Sequence, residues 1–199
     1  MPIRGSIHMP GDKSISHRSV LISSLIPGEH NIKNISTAED VNYSLKCLNN
    51  IGIIHSRENN NIIIHGNTFS NPTEPLFCGN SGTTMRLLIG LLSGLNIGAE
   101  LFGDESLMKR PMDRVINPLI EMGADISYHE GKSSIIIHKK QFLRDLNYTM
   151  SIASAQVKSA LLIAGISANK KIVLYEKYPT RNHTEIMLND IGYDIITKR

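Results

Sequence analysis

Residues 18–28 of the chain read RSVLISSLIPG, a cation followed by an apolar run that ends at proline and glycine. Two other stretches resemble it, RLLIGLLSG at residues 86–94 and KSALLIAGISAN at residues 158–169. The leading cations of the three runs lie 68 and 72 residues apart. Because features that recur at a fixed period are typical of folds built from equivalent units, this spacing predicts three copies of one unit.

A second helix-like stretch follows each run and ends at glycine, at Gly52, Gly123 and Gly192. Glycine suits the left-handed position that often ends a helix. Strand-like residues come next, as IIHSRENNNIIIHG at 53–66, ADISYHEGKSSIIIHK at 124–139 and a shorter YDIITKR at 193–199.

We therefore predict an α/β (α+β) fold made of βαβαββ units, each of about 70 residues. Each unit would bury one face of its helices against its own sheet and the rest against the other units. The units are placed at about residues 1–67, 68–140 and 141–199. Since the third unit has only one strand of its last hairpin, we expect it to be incomplete.

The composition narrows the choice of partners. The chain has a net charge of +3, scattered cations and no long apolar run, so neither nucleic acid nor a membrane is an expected partner. Its eight histidines lack metal-ligand spacing, and we predict no metal and no other cofactor. Two cysteines without metal spacing and no apolar leader favour a reducing cytoplasm.

Polar and cationic residues stand at the start of all three apolar runs, as GDKSISHR at 11–18, GNSGTTMR at 79–86 and SAQVK at 154–158. A helix N-terminus attracts anions through its exposed N–H groups and dipole, and lysine or arginine adds a full charge. If the three N-termini meet, they would form one site for a ligand with several negative groups. Each motif alone is also explained by ordinary structure, with Ser14 or Ser16 capping a helix and GNSG forming a turn.

These motifs, together with DESLMKRPMDR at residues 104–114, resemble the signature segments of the EPSP synthases, or 3-phosphoshikimate 1-carboxyvinyltransferases. The four motifs occur in order, and the resemblance covers essentially the whole chain. It implies an inside-out enolpyruvyl-transferase domain of three βαβαββ units. Since members of this family have a second such domain, it also implies that this chain is the N-terminal part of a longer protein.

The resemblance implies an activity as well. The family transfers the enolpyruvyl group of phosphoenolpyruvate to the 5-hydroxyl of shikimate 3-phosphate and releases phosphate, without a metal. Glyphosate occupies the phosphoenolpyruvate site in this family. The groups that transfer protons belong to the second domain, so we expect no catalytic residue in residues 1–199. The complete protein is expected to be a monomer.

The same resemblance assigns substrate contacts to two sets of residues. The shikimate 3-phosphate set is Lys13, Ser14, Arg18, Ser154, Ala155, Gln156 and Arg181, with Thr180 beside it. The phosphoenolpyruvate set is Lys13, Asn80, Gly82, Arg110 and Gln156. Ala155 stands where other members have a second serine, so only a backbone contact is expected there. Gly82 is expected to let phosphoenolpyruvate lie against the backbone.

Two alternatives stay open. One is the sister family of UDP-N-acetylglucosamine enolpyruvyl transferases, whose members carry a cysteine in the loop that matches ESLMKRP. This chain has Leu107 and Met108 there, and its cysteines, Cys47 and Cys78, lie elsewhere. The other alternative is a non-catalytic fragment that binds shikimate 3-phosphate without turnover.

Overall fold

The computed structural model describes residues 4–7, 9–128, 133–139 and 142–197. Its helices are α1 (Lys13–Leu25), α2 (Glu39–Asn50), α3 (Gly82–Leu95), α4 (Glu105–Met108), α5 (Asp113–Met122), α6 (Ala155–Ser167) and α7 (His183–Asp190). Its strands are β1 (Gly28–Ile32), β2 (Ile54–Glu58), β3 (Asn61–Gly66), β4 (Leu76–Phe77), β5 (Ala99–Phe102), β6 (Ile126–Ser127), β7 (Ser134–Ile137), β8 (Leu146–Met150) and β9 (Ile172–Glu176). The predicted mixed α/β class is confirmed.

Three sheets follow one another along the chain. The middle sheet has the order β4-β5-β7-β6, in which β4 runs parallel to β5 and the other pairs are antiparallel. The first sheet has the order β1-β3-β2, with both pairs antiparallel. The third is the parallel pair β8-β9. The first sheet therefore repeats the last three positions of the middle sheet, and the third repeats its first two.

Two predicted strands are not found where the structure describes the chain. A strand before α1 would fall within the first ten residues, but residues 4–7 and 9–12 form none, and residues 1–3 and 8 lie outside the described part. Residues 193–197 also form no strand, and residues 198–199 are not described. A strand forms only when a neighbour accepts its ladder hydrogen bonds, and neither segment is paired with one.

The hairpin predicted at 124–139 forms as β6 and β7, although residues 129–132 between them lie outside the described part. The short helix α4 was not predicted. It begins at an N-cap, Asp104, whose side chain accepts a hydrogen bond from the backbone N–H of Leu107. Four residues are too few to show helical periodicity in a sequence, which is why the pattern of apolar residues missed this helix.

Helices α3 and α6 pack closely and in the same direction. A Cβ on Gly90 would lie 2.2 Å from the carbonyl oxygen of Ala160, and one on Gly94 would lie 2.6 Å from that of Ala164. Only glycine lets two backbones approach this closely. Since Gly90 faces Ala160 and Gly94 faces Ala164, the N-terminal halves of the two helices lie at the same end.

The N-terminal half of α1 joins them at that end. Arg18 of α1 donates a hydrogen bond to Ser159 of α6. The imidazole of His17 contacts the hydroxyl of Ser44 in α2, which in turn contacts the hydroxyl of Thr84 in α3. Three helix N-termini therefore meet in one region, as a single site built from the three motifs requires.

Over the described ranges, no helix has the length and apolar character that a membrane crossing needs. The same residues hold no group of three or more histidine, cysteine, aspartate or glutamate side chains placed to bind a metal ion. Cys47 and Cys78 are buried and unbridged.

Candidate functional site

An open cleft of about 390 Å³, here called the α1–α6 cleft, lies where the starts of these two helices meet the segment between β9 and α7. Its lining residues are Ser14, Arg18, Ser154, Ala155, Gln156, Pro179, Thr180 and Arg181. Of the residues predicted to contact shikimate 3-phosphate, only Lys13 does not line this cleft. Segments more than 130 residues apart in the sequence thus form one surface.

Arg18 is the best-anchored cation of the α1–α6 cleft and is only 3% exposed. Its Nε donates to Thr184 Oγ1, its Nη1 to the Ser14 carbonyl and its Nη2 to Ser159 Oγ, each at 2.8 Å. A fourth, longer bond joins Nη2 to the Ala155 carbonyl at 3.4 Å. Since a guanidinium has five N–H groups, the bonds within the described residues leave one for a ligand.

Charge on Arg18 is maintained despite its burial. Burial lowers the pKa of Arg18, and the nearby carboxylate of Glu185 raises it. An arginine stays protonated under all ordinary conditions in proteins. The α1–α6 cleft therefore contains a fixed positive charge whose geometry is set before any ligand arrives.

The start of α1 is capped by Asp12, whose side chain accepts a hydrogen bond from the backbone N–H of Ile15 at 2.8 Å. The ordinary explanation for the serines, in which Ser14 or Ser16 caps this helix, is therefore wrong. Ser16 donates instead to the Asp12 carbonyl and accepts from the backbone N–H of Ser36. Ser14 lines the α1–α6 cleft.

Gln156 connects this cleft to the start of α3. Its Nε2 donates to Thr83 Oγ1 at 2.9 Å, and its Oε1 accepts from Arg86 Nη1 at 2.8 Å. The residue lies in the first turn of α6, where Ser154 is the N-cap and accepts from the backbone N–H of Val157. One amide side chain that lines the α1–α6 cleft thus also binds two residues in the first turns of α3.

The predicted phosphoenolpyruvate contacts Asn80, Gly82 and Arg110 form a second cluster at the N-terminus of α3. Arg110 donates to Asn80 Oδ1, and Asn80 Nδ2 donates to Asp104 Oδ2 at 2.7 Å. A Cβ on Gly82 would lie 2.8 Å from Arg86 Nη1 and 3.3 Å from Arg110 Nη1. Gly82 therefore makes room for two guanidinium groups, the kind of group that binds phosphate or carboxylate with paired hydrogen bonds.

Lys13, predicted to contact both substrates, forms an ion pair with Asp40, with 2.8 Å between Nζ and Oδ2. The two side chains are 50% and 32% exposed. Because an exposed ion pair contributes little to stability, the ammonium group can exchange Asp40 for an anionic ligand at small cost.

Lys158 supplies the cation of the third motif, and the prediction that it adds an accessible charge at this helix start is wrong. Its side chain is 6% exposed, and its Nζ pairs with Glu176 at 2.8 Å and Glu185 at 2.6 Å. These two carboxylates offset the charge of the ammonium inside the protein, so the third N-terminus relies on its backbone N–H groups and on Arg18 and Arg181 for positive potential.

Arg86 was left out of the predicted site, although it lies between the two clusters. Its Nη2 donates to the Pro111 carbonyl at 3.0 Å, which ties the segment after Arg110 to α3. Burial lowers the pKa of Arg86, and the nearby guanidinium groups of Arg110 and Arg114 add to this effect. The sequence contained a signal for this residue, since Arg86 leads the second apolar run as Arg18 leads the first.

Comparisons with known proteins place this geometry in a family. The family model for EPSP synthase (3-phosphoshikimate 1-carboxyvinyltransferase) matches residues 1–199. The 3-phosphoshikimate 1-carboxyvinyltransferase of Vesicomyosocius okutanii subsp. Calyptogena okutanii is 45% identical over 198 residues, covering 98% of this chain and 46% of the relative. That of Oenococcus oeni is 44% identical over 199 residues, with the same coverage of 98% and 46%.

A solved structure of EPSP synthase from Acinetobacter baumannii matches with a TM-score of 0.92 and 38% identity, over 98% of this chain and 45% of that one. The chain spans about half the length of the curated relatives it matches. The sister family of UDP-N-acetylglucosamine enolpyruvyl transferases is not favoured by these findings. The chain belongs to the family of EPSP synthases, the 3-phosphoshikimate 1-carboxyvinyltransferases.

Proposed function

We propose that the whole protein transfers the enolpyruvyl group of phosphoenolpyruvate to the 5-hydroxyl of shikimate 3-phosphate, giving 5-enolpyruvylshikimate 3-phosphate and phosphate. This reaction belongs to the shikimate pathway, which leads to chorismate and the aromatic amino acids. The observation that carries the proposal is the pairing of two cationic clusters, at the starts of α3 and α6, joined by Gln156. Each substrate carries a phosphate and a carboxylate, so a pair of anion sites fits a pair of anionic substrates.

Shikimate 3-phosphate would occupy the α1–α6 cleft. Arg18 and Arg181 supply positive charge, and Ser154 and Gln156 supply polar side chains at the N-terminus of α6. Ala155 would contribute its backbone only. Because four hydrogen bonds already hold Arg18, the ligand would meet a guanidinium that needs little further ordering.

Phosphoenolpyruvate would bind beside the start of α3. Arg110 lies next to Gly82 and binds Asn80, and in this proposal Lys13 would exchange Asp40 for the ligand. In this proposal the residues of this chain bind and orient the two reactants. A bimolecular reaction then becomes effectively unimolecular within the bound complex. Proton transfer is assigned to groups outside residues 1–199.

The remaining proposals concern the protein as a whole. We place residues 1–199 in the N-terminal part of a longer chain, with repeat units at about 1–67, 68–140 and 141–199 and a second domain beyond them. We propose a cytoplasmic monomer that binds neither nucleic acid nor membrane. Glyphosate would inhibit it by occupying the phosphoenolpyruvate position.

The whole protein is expected to release phosphate from phosphoenolpyruvate only when shikimate 3-phosphate is present, while residues 1–199 alone are expected to release none. A colorimetric phosphate assay measures both, and shikimate without its phosphate is the matched control ligand. Turnover by residues 1–199 would show that proton transfer is wrongly assigned to groups outside these residues. Binding of shikimate 3-phosphate without turnover by the whole protein would favour the non-catalytic alternative.

A further inference from the structure

A buried ion-pair network lies behind the segment that forms one wall of the α1–α6 cleft. Lys158 Nζ lies 2.8 Å from Glu176 Oε2 and 2.6 Å from Glu185 Oε1. The three side chains are 6%, 20% and 11% exposed, in that order. Glu176 is the last residue of β9 and Glu185 lies in the first turn of α7, so one ammonium group holds both ends of residues 177–184.

Thr180, inside this segment, is bound to the same network. Its Oγ1 donates to Glu176 Oε1, which uses the single proton of the hydroxyl group. Burial raises the pKa of Glu176, but the hydrogen bonds from Lys158 and Thr180 outweigh burial and hold this pKa below its ordinary value. The carboxylate is therefore charged at neutral pH and binds both partners.

A second set of hydrogen bonds joins this network to the cation of the cleft. Thr184 Oγ1 accepts from Arg18 Nε and lies 2.7 Å from Ser159 Oγ, which also accepts from Arg18. Thr184 and Ser159 are the sequence neighbours of Glu185 and Lys158. The same short stretches of α6 and α7 thus hold both the ion pairs and the guanidinium that lines the α1–α6 cleft.

We propose that Lys158 is a positioning residue for shikimate 3-phosphate, which fixes Thr180 and Arg181 at the wall of the cleft through Glu176 and Glu185 without touching the ligand. The proposal rests on the proposed function. Without the ammonium group, the buried carboxylates of Glu176 and Glu185 would both lose Lys158 as ion-pair partner, and Glu185 would keep only the more distant charge of Arg18. Breaking a buried ion pair on one side is strongly unfavourable, and moving residues 177–184 toward water is the way to relieve it.

Loss of the Lys158 ammonium group should weaken the binding of shikimate 3-phosphate and leave the binding of phosphoenolpyruvate nearly unchanged. Asn80, Gly82 and Arg110 lie beside the start of α3, while the other two predicted phosphoenolpyruvate contacts, Lys13 and Gln156, lie in the first turns of α1 and α6. In the described part of the chain, the side-chain hydrogen bonds and ion pairs of Lys158, Glu176 and Glu185 reach none of these five residues. Residues that share no partners contribute nearly independently. If Lys158 only stabilised the fold as a whole, its removal would weaken the binding of both substrates together.

Two substitutions in the whole protein test the proposal. Lys158→Met removes the ammonium group at similar side-chain length, and Glu176→Gln keeps a hydrogen-bonding group but removes one charge. We expect the Kd for shikimate 3-phosphate to rise about tenfold or more with Lys158→Met and about threefold with Glu176→Gln. The KM for phosphoenolpyruvate should change by less than about twofold in both. Lys170→Met, at an exposed lysine after α6, is the matched control and should change neither constant.

Amide hydrogen exchange of residues 177–184 supplies a readout that does not depend on the ligand, and it should be faster in both network variants and unchanged in the control. Unaltered affinity for shikimate 3-phosphate in folded variants would overturn the proposal. Equal losses for both substrates, with faster exchange throughout the chain, would also overturn it.

If Lys158→Met does not fold, Glu176→Gln decides by the same criteria. If the wild-type protein does not bind shikimate 3-phosphate at all, it is the proposed function that fails. Local exchange then decides on its own whether Lys158 fixes this segment.

Discussion

Replacing Arg18 with alanine in the whole protein is expected to weaken the binding of shikimate 3-phosphate about ten- to a hundredfold. A hydrogen bond to a charged group contributes about 1.5–3 kcal/mol, and each 1.4 kcal/mol corresponds to roughly a tenfold change in affinity. Arg18 lines the α1–α6 cleft, and three hydrogen bonds of 2.8 Å fix its guanidinium before the ligand arrives. Isothermal titration calorimetry measures the change.

The same substitution should also lower the melting temperature, because Thr184 and Ser159 lose a shared donor. Calorimetry is therefore run well below the unfolding temperature of the variant. Arg18→Lys keeps the charge without the planar fork and should give an intermediate loss. Arg57→Ala, at an exposed arginine of β2, is the control and should leave the affinity unchanged. An unchanged Kd for folded Arg18→Ala would reduce this arginine to a structural link between α1, α6 and α7.

A second expected result concerns stability in acid. As the pH falls from 6.5 to 4, protonation of His17 in the unfolded chain should lower the free energy of unfolding by up to about 3 kcal/mol. His17 is fully buried, and in the described part of the chain its Nε2 has no hydrogen-bond partner. Burial lowers the pKa of His17 to about 4, and Lys13 and Arg18 add to this shift while Asp40 opposes it.

The direction of the effect follows from these two pKa values. In the unfolded chain the imidazole has a pKa of about 6.5. Below that pH the unfolded state takes up a proton that the folded state does not accept until about pH 4. Stability is therefore full above pH 6.5, falls through the window and levels off once both states are protonated.

Urea unfolding of the whole protein at pH values above 6.5 and near 4 tests this expectation. Carboxylates titrate in the same range, so the relevant quantity is the difference between wild type and His17→Gln. The variant should lose less stability than the wild type between the two pH values. His138→Gln, at a partly exposed histidine, is the matched control substitution. Equal pH dependence in wild type and His17→Gln would show that His17 does not titrate in this window.

The central helices were predictable because each one combines an apolar run with local start and end signals. Gly123, for example, ends α5 with a φ of 108°, as its place in the pattern predicts. The strands at the two ends of the chain were not predictable, since pairing depends on distant neighbours. Residues 193–197 have a strand-like pattern but no paired strand.

The candidate site was predictable where the chemistry is local. Anion binding at a helix start needs particular residue types within one or two turns, and Ser14, Arg18, Ser154 and Gln156 fit that pattern. The partners of Arg18 were not predictable, because Thr184 and Ser159 lie 166 and 141 residues away in the sequence. No local pattern indicates such contacts.

Lys158 shows the same limit. Because Lys158 leads the third apolar run as Arg18 leads the first, the motif predicts the same anion-binding role for both. Whether a cation one turn into a helix faces a cleft or the interior depends on which residues pack beside it. Here Glu176 and Glu185 draw the ammonium group inward.

The most direct measurement is a crystal structure of the whole protein with shikimate 3-phosphate bound. We expect the ligand in the α1–α6 cleft, with its anionic groups within hydrogen-bond distance of Arg18, Ser154 or Arg181, and with Lys158 still paired to its two carboxylates. Ligand density at another site, with this cleft empty at a concentration that saturates binding, would contradict the assignment of the converging helix N-termini as the substrate site.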